Sequence, residues 1–110
     1  MKTVHDLKRI IEAHRKAGES WAEFLRVPSL SMGIYALGAG AVDPQEPHTE
    51  DEVYYILEGS GMLRVGSEDH AFGPGSILFV PARAEHRYHD IQEDLVTLVF
   101  FAPAEGSTAR

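Results

Sequence analysis

Two kinds of hydrophobic patterning divide the chain. Near the start, Leu7, Ile10, Ile11 and Ala17 recur at helical spacing, with Thr3 and Asp6 ahead of them as a capping arrangement and Gly18 behind them as a stop. From Leu30 onward short, strand-like segments replace that period, at 31–37, 52–57, 61–65, 76–80, 85–88 and 95–101. Glycine, proline and acidic punctuation separates them, as in Glu58-Gly59-Ser60-Gly61 and Phe72-Gly73-Pro74-Gly75. No second long amphipathic pattern intervenes, which argues against a doubly wound parallel sheet and selects an antiparallel sandwich or barrel. The segment 95–101 is apolar except for Thr97, as a central strand would be. Between helix and strands lies a small cluster, Trp21, Phe24 and Leu25, that needs a cover. The expected organisation is an N-terminal helix and packing or dimerisation segment at 1–29, a β-domain at 30–102 and a flexible C-terminal tail at 103–110.

At 110 residues with 44% hydrophobic content, one domain with a modest core is expected, and a second copy would be an economical way to add buried area. A homodimer is the expected assembly. The absence of cysteine removes disulfides, thiolate ligands and thiol nucleophiles, and fits a reducing compartment. Charges run through the first residues, unlike a secretory leader, and no apolar stretch reaches membrane-spanning length, so the expectation is a cytoplasmic protein with no membrane partner. The net charge of −7 is concentrated after Gly40, where 13 acidic residues face 4 basic ones. Such a body repels phosphate backbones, which excludes nucleic acid as a partner.

The candidate chemistry lies in two stretches, Gly40 to Gly59 and Gly73 to Asp90. Alternate residues of a strand share a face, so Glu46 and His48 can enter one cavity, as can His86 and Tyr88 from another strand. Parity also admits Glu50, but a bend through Thr49-Glu50-Asp51 leaves Glu50 and Glu52 as alternatives. Without an ion, the same histidines would be partly buried side chains paired with neighbouring acids. Tyr35, Tyr54, Met62, Phe79 and Phe100 are candidates for pocket or core. His89 points away from His86 in a regular strand, His5, His14 and His70 read as surface residues, and Glu50 and Asp51 as a solvated acidic turn.

Gly40, Glu46, His48, Glu52 and Gly59, followed by Gly75, Pro81, Arg83, His86 and Asp90, match the spacing of two motifs, and in them the chain resembles the cupin superfamily. Glu46 stands where the first motif has its first histidine, Arg83 where the second has a glycine, and Asp90 where it has an asparagine. The resemblance implies an all-β jelly-roll barrel over roughly residues 30–101, preceded here by the short helix. It also implies His48, Glu52 and His86 as metal ligands, with Glu46 as a fourth. Two imidazoles and a carboxylate suit one divalent ion, Fe(II) or Mn(II) in the first place, with Zn(II) or Ni(II) as alternatives. Tyr88 could present its phenol to a small-molecule substrate, and Arg83 or Arg87 could receive a substrate carboxylate. Salt bridges to nearby acids are the plainer role for both arginines. The expected activity is that of a mononuclear non-haem metal dioxygenase acting on a small polar organic substrate. The alternatives are a metal-dependent isomerase or decarboxylase of a small carbonyl or sugar-like compound, and a non-catalytic ligand-binding or sensing domain.

Overall fold

The computed structural model describes residues 2–107. One helix, α1 (Leu7–Ala17), precedes eight strands: β1 (Trp21–Val27), β2 (Leu30–Leu37), β3 (Asp51–Glu58), β4 (Gly61–Val65), β5 (Glu68–Phe72), β6 (Ile77–Val80), β7 (His86–His89) and β8 (Leu95–Ala102). Asp6, rather than Thr3, caps α1, accepting a hydrogen bond from the Arg9 amide. Gly18 ends the helix at φ 71° and donates its amide to the His14 carbonyl. An open cleft of about 760 Å³ separates α1 from the ends of β2 and β8. His14 is buried, contrary to its expected surface position. Among the described residues no helix is long and apolar enough to cross a membrane.

The strands form two antiparallel sheets, ordered β1-β2-β8-β3-β6 and β5-β4-β7. Neither closes on itself, so the expected barrel is, in its hydrogen bonding, two sheets with free edges; the fold is all-β and cupin-like with one N-terminal helix. The apolar strand β8 is central, as its composition predicts, running against β2 on one side and β3 on the other. Alternation then sets the interior: Tyr35, Leu37, Tyr54, Ile56, Leu95, Val99 and Phe101 come from the larger sheet and Leu63, Phe72 and Tyr88 from the smaller.

Two strands are absent from the sequence reading. In β5 only Phe72 is buried, so this polar edge strand carries no alternation signal. It is held to β4 by a paired Arg64–Asp69 contact, the Arg64 Nε and Nη2 donating at 3.0 and 2.9 Å. Strand β1 takes up the Trp21-Phe24-Leu25 cluster, pairing with β2 through a hairpin. The Trp21 indole meets Phe101 edge-on at 6.0 Å and occupies the space where a Cβ on Gly33 would stand, 2.3 Å from its Cη2. Glycine at 33 is therefore what admits the indole. Among the large apolar side chains left outward are Tyr55, Ile77 and Phe79, on the outer face of β3 and β6. Phe79 is therefore outside the core.

The segment expected as a flexible tail folds back through residue 107. Ala104 is buried, the Glu105 amide donates to Ser31 Oγ at 2.9 Å, and the Arg26 guanidinium donates to the Glu105 carbonyl. The expectation for 108–110 lies outside the described residues.

One buried carboxylate joins the two sheets. Asp43 precedes β3 and accepts four hydrogen bonds: from the Tyr35 hydroxyl at 2.7 Å, the Tyr88 amide at 2.9 Å, and the Gln45 amide and side chain at 3.1 and 2.9 Å. Tyr35 belongs to the larger sheet and Tyr88 to the smaller, so a single side chain ties both to the intervening segment. Asp43→Ala would leave two buried donors unpaired, each worth roughly 1–3 kcal/mol. Urea unfolding of this variant is expected to reveal a loss of about 3 kcal/mol or more, with Asp43→Asn losing less because one acceptor oxygen survives.

Candidate metal centre

Glu52, His48 and His86 reach one point from three different backbone settings. Glu52 is the second residue of β3, paired with Phe101 of β8 and Val80 of β6, and the pleat turns it inward at 1% exposure. His86 opens β7, with its Nδ1 3.0 Å from the Ala84 carbonyl and Nε2 aimed at Glu52. His48 lies in the irregular segment before β3, its carbonyl accepting a hydrogen bond from the Arg83 amide at 2.6 Å. Arg83 makes that contact from φ 67°, a left-handed conformation that explains why the related motif carries glycine there. Asp90, at φ 48°, occupies the corresponding region where the motif has asparagine, the other residue that tolerates it.

One ligand atom from each of the three residues lies within 4.8 Å of the others. His86 Nε2 stands 3.1 Å from Glu52 Oε1, close enough for an ion pair, yet neither atom has a hydrogen bond. Both Glu52 oxygens are buried without a hydrogen bond, and Oε1 has only the ion-pair contact with His86. Buried polar atoms are ordinarily paired, and leaving a carboxylate unmatched is costly. Groups that converge on a shared point without bonding one another are arranged as ligands of one cation, and two imidazoles with a carboxylate fit a divalent ion. Burial alone pushes the His86 imidazolium down, but Glu52, the Ala84 carbonyl and Asp43 together hold its pKa above the ordinary 6.5.

Glu46 does not join this group. Its side chain is exposed and borders a recess of about 350 Å³ that it shares with His86, Arg64, Glu85 and Arg87. The parity argument fails because residues 41–50 form no strand. Gln45 turns inward instead: its Nε2 donates to Asp43, its Oε1 accepts from the Tyr54 hydroxyl at 3.0 Å, and the same Oε1 lies 3.4 Å from His48 Nε2. Asp43-Pro44-Gln45 carried a usable signal, since an Asp-Pro step initiates turns and the Asp43 carboxylate accepts the amide two residues on.

Tyr88 is core, packed edge-on against Tyr54 at 5.0 Å and Phe72 at 5.3 Å, rather than displayed to a substrate. The Arg83 side chain is exposed and contributes to the centre only through its amide. Glu50, expected in a solvated turn, is buried, with the Thr49 hydroxyl donating to it; Asp51 is exposed and accepts from the Ala82 amide at 2.9 Å.

A cavity of about 180 Å³ opens beside the triad, walled by Trp21, Tyr35, Gln45, His48, Glu52, Val99 and Glu105. Trp21 and Glu105 were not foreseen as site residues. Glu105 Oε2 lies 3.4 Å from His48 Nδ1. Burial, reinforced by Glu52, raises the Glu105 carboxyl above the usual carboxylate range against the opposing pull of His48. Burial and the hydrogen bond to Asp43 push the Tyr35 phenol far up, so it remains a proton donor. The Tyr54 phenol is likewise raised, by burial first and then by the charge of Glu52.

Comparison with known proteins gives the same picture. The model of the cupin domain matches residues 33–101. An uncharacterized protein of Streptomyces coelicolor is 44% identical over 97 residues, covering 87% of this chain and 92% of that protein. An acireductone dioxygenase of Bacillus thuringiensis is 35% identical over 66 residues, 54% of this chain and only 38% of the dioxygenase's length. Among solved structures, TT1209 from Thermus thermophilus superposes with a TM-score of 0.73 at 30% identity, over 92% of this chain and 97% of that one. KdgF from a Halomonas species gives 0.68 at 18% identity, over 79% and 88%, a likeness of fold alone. With its triad borne on the matched region, this chain belongs to the cupin family.

Proposed function

We propose that the protein is a mononuclear metal cupin in which His48, Glu52 and His86 hold one divalent ion, Fe(II) or Mn(II), beside a cavity that receives a small polar organic substrate for oxidation by dioxygen. In this reading the two sheets act as the walls of a jelly-roll barrel around the ion. The observation that carries it is the convergence of three buried ligand residues whose facing atoms lack hydrogen bonds. An ion held by two imidazoles and one carboxylate would supply open coordination positions for substrate and dioxygen. The protein's own contribution is positional. Glu52 and His86 are fixed by sheet register, while Trp21 and Val99 make one side of the cavity apolar. The Gln45 amide, held by Asp43 and Tyr54, presents an oxygen to that space.

At about 180 Å³ the cavity is below the roughly 300–1,000 Å³ of drug-sized sites, which favours a substrate of few heavy atoms. The partial match to acireductone dioxygenases supports oxygen chemistry over metal-assisted isomerisation or decarboxylation.

Titration of metal-free protein with Mn(II) should give one site. His86→Ala should weaken it beyond the roughly 10–100-fold typical of losing an outer partner, since a direct ligand goes, whereas Glu46→Gln should leave affinity unchanged. Unaltered affinity in His86→Ala would remove that residue from the ligand set.

Thermal unfolding should depend on pH in opposite senses with and without the ion. Because the folded-state pKa of His86 is raised, its contribution to metal-free stability is complete below 6.5 and is lost as pH climbs through the raised value. Ligands must be deprotonated to bind, so stabilisation by Mn(II) should grow over that same interval. Tm measured against pH in chelator and in Mn(II) tests both slopes.

The activity itself is tested by exposing anaerobically prepared Fe(II) protein to oxygen with small diketones, phenols, thiols and hydroxy acids. Substrate-dependent oxygen uptake, abolished in His86→Ala, is the expected result. Turnover without oxygen consumption would instead assign Lewis-acid chemistry, and saturable binding without turnover a sensing role.

A further inference from the structure

We infer that Glu105 is a positioning residue of the metal centre: its carboxylate, laid against His48 Nδ1 by the folded-back C-terminal segment, holds the imidazole with the Nε2 lone pair free for the ion. The inference rests on the metal-binding reading above.

A neutral imidazole carries one N–H, and the neighbours of its two nitrogens decide which nitrogen bears it. Around His48 both neighbours are acceptors. Nδ1 faces Glu105 Oε2 at 3.4 Å, and Nε2 faces Gln45 Oε1 at 3.4 Å. The Gln45 amide cannot turn to offer its nitrogen, because Nε2 donates to Asp43 and Oε1 already receives the Tyr54 hydroxyl. Competition for the single proton is therefore between a carboxylate in ion-pair contact and a neutral amide oxygen at hydrogen-bond distance, and the negative charge of Glu105 favours Nδ1. The proton goes to Nδ1. His86 reaches the same state by another route, with Nδ1 against the Ala84 carbonyl and Nε2 toward Glu52. Metal-ligating histidines ordinarily give their second ring N–H to a carboxylate or carbonyl in this manner.

The main chain around Glu105 is held for the purpose. Its amide donates to Ser31 Oγ at 2.9 Å, its carbonyl accepts from Arg26, and the preceding Ala104 amide donates to the Pro28 carbonyl at 3.3 Å. These partners lie in the β1–β2 hairpin, so the contact joins the last described segment to the first sheet edge and aims a charged side chain inward.

Two measurements on the full chain test the assignment. Two-bond 1H–15N spectra of metal-free protein at alkaline pH read the His48 tautomer, and titration with Mn(II) reads the affinity. Wild type should carry the proton on Nδ1. Glu105→Ala should shift His48 toward the Nε2–H form and weaken Mn(II) binding about 10–100-fold. Glu105→Gln, which preserves length and an acceptor oxygen but removes the charge, should shift the tautomer and the affinity in the same direction by less than Glu105→Ala, and it decides the matter if the alanine variant is unfolded. Wild-type tautomer and affinity in Glu105→Ala, or in Glu105→Gln should the alanine variant be unfolded, would overturn the assignment. Failure of wild type to take up Mn(II) would instead overturn the metal-binding reading itself.

Discussion

The Asp43 carboxylate is the constraint from which most of the interior follows. Its acceptor oxygens receive a phenol from the larger sheet, a backbone amide from the smaller, and both donors of Gln45. Non-directional burial would hold the sheets together over many relative placements. Hydrogen bonds to one small buried group admit far fewer. By fixing Gln45, Asp43 also sets which atom faces His48, and by holding Tyr88 through its amide it helps set the strand on which His86 stands. A residue with no part in binding an ion thereby governs where two of the ligands are.

Seen from the triad, the surrounding hydrogen bonds divide into two classes. Those of Asp43, Gln45, Tyr35 and Tyr54 are satisfied within the protein and make a rigid polar shell. Glu52 and His86 Nε2, one layer further in, are left without such partners. A low-dielectric interior magnifies that difference, since unpaired polar atoms cost more there than in water. The arrangement is preorganised for positive charge: the shell bears the geometry, and the innermost atoms are left for a ligand. The negative charge of Glu52 in the same interior helps hold the His86 pKa above its ordinary value, against the opposing effect of burial.

How much of this was legible in the sequence depends on the physical range of each signal. Strands with one face buried on each side of the central β8 announced themselves by alternation, and glycine-bounded turns placed their ends. Strand β1 did not, because Trp-Ala-Glu-Phe-Leu-Arg-Val has no strict period and its identity comes from pairing with β2. Strand β5 did not, because only Phe72 reaches the core. His48, Glu52 and His86 were readable through the spacing of two motifs, whereas Glu46 was misplaced by applying strand parity to a segment whose conformation is dictated by Asp43 and Pro44. Glu105 left no local trace: its place depends on a chain reversal after β8 and on anchors in a hairpin far away in sequence.

The meeting of Trp21 with Gly33 bears on how the chamber beside the ion is dimensioned. The indole forms one of its walls, and it fits only because residue 33 of the neighbouring strand lacks a side chain. Any larger residue at 33 must drive the ring aside, altering the room available to a guest while every ligand stays on its own strand or loop. Capacity and coordination are thus encoded in separate parts of the chain, so that within one architecture the choice of guest can drift through the first hairpin without disturbing the ion.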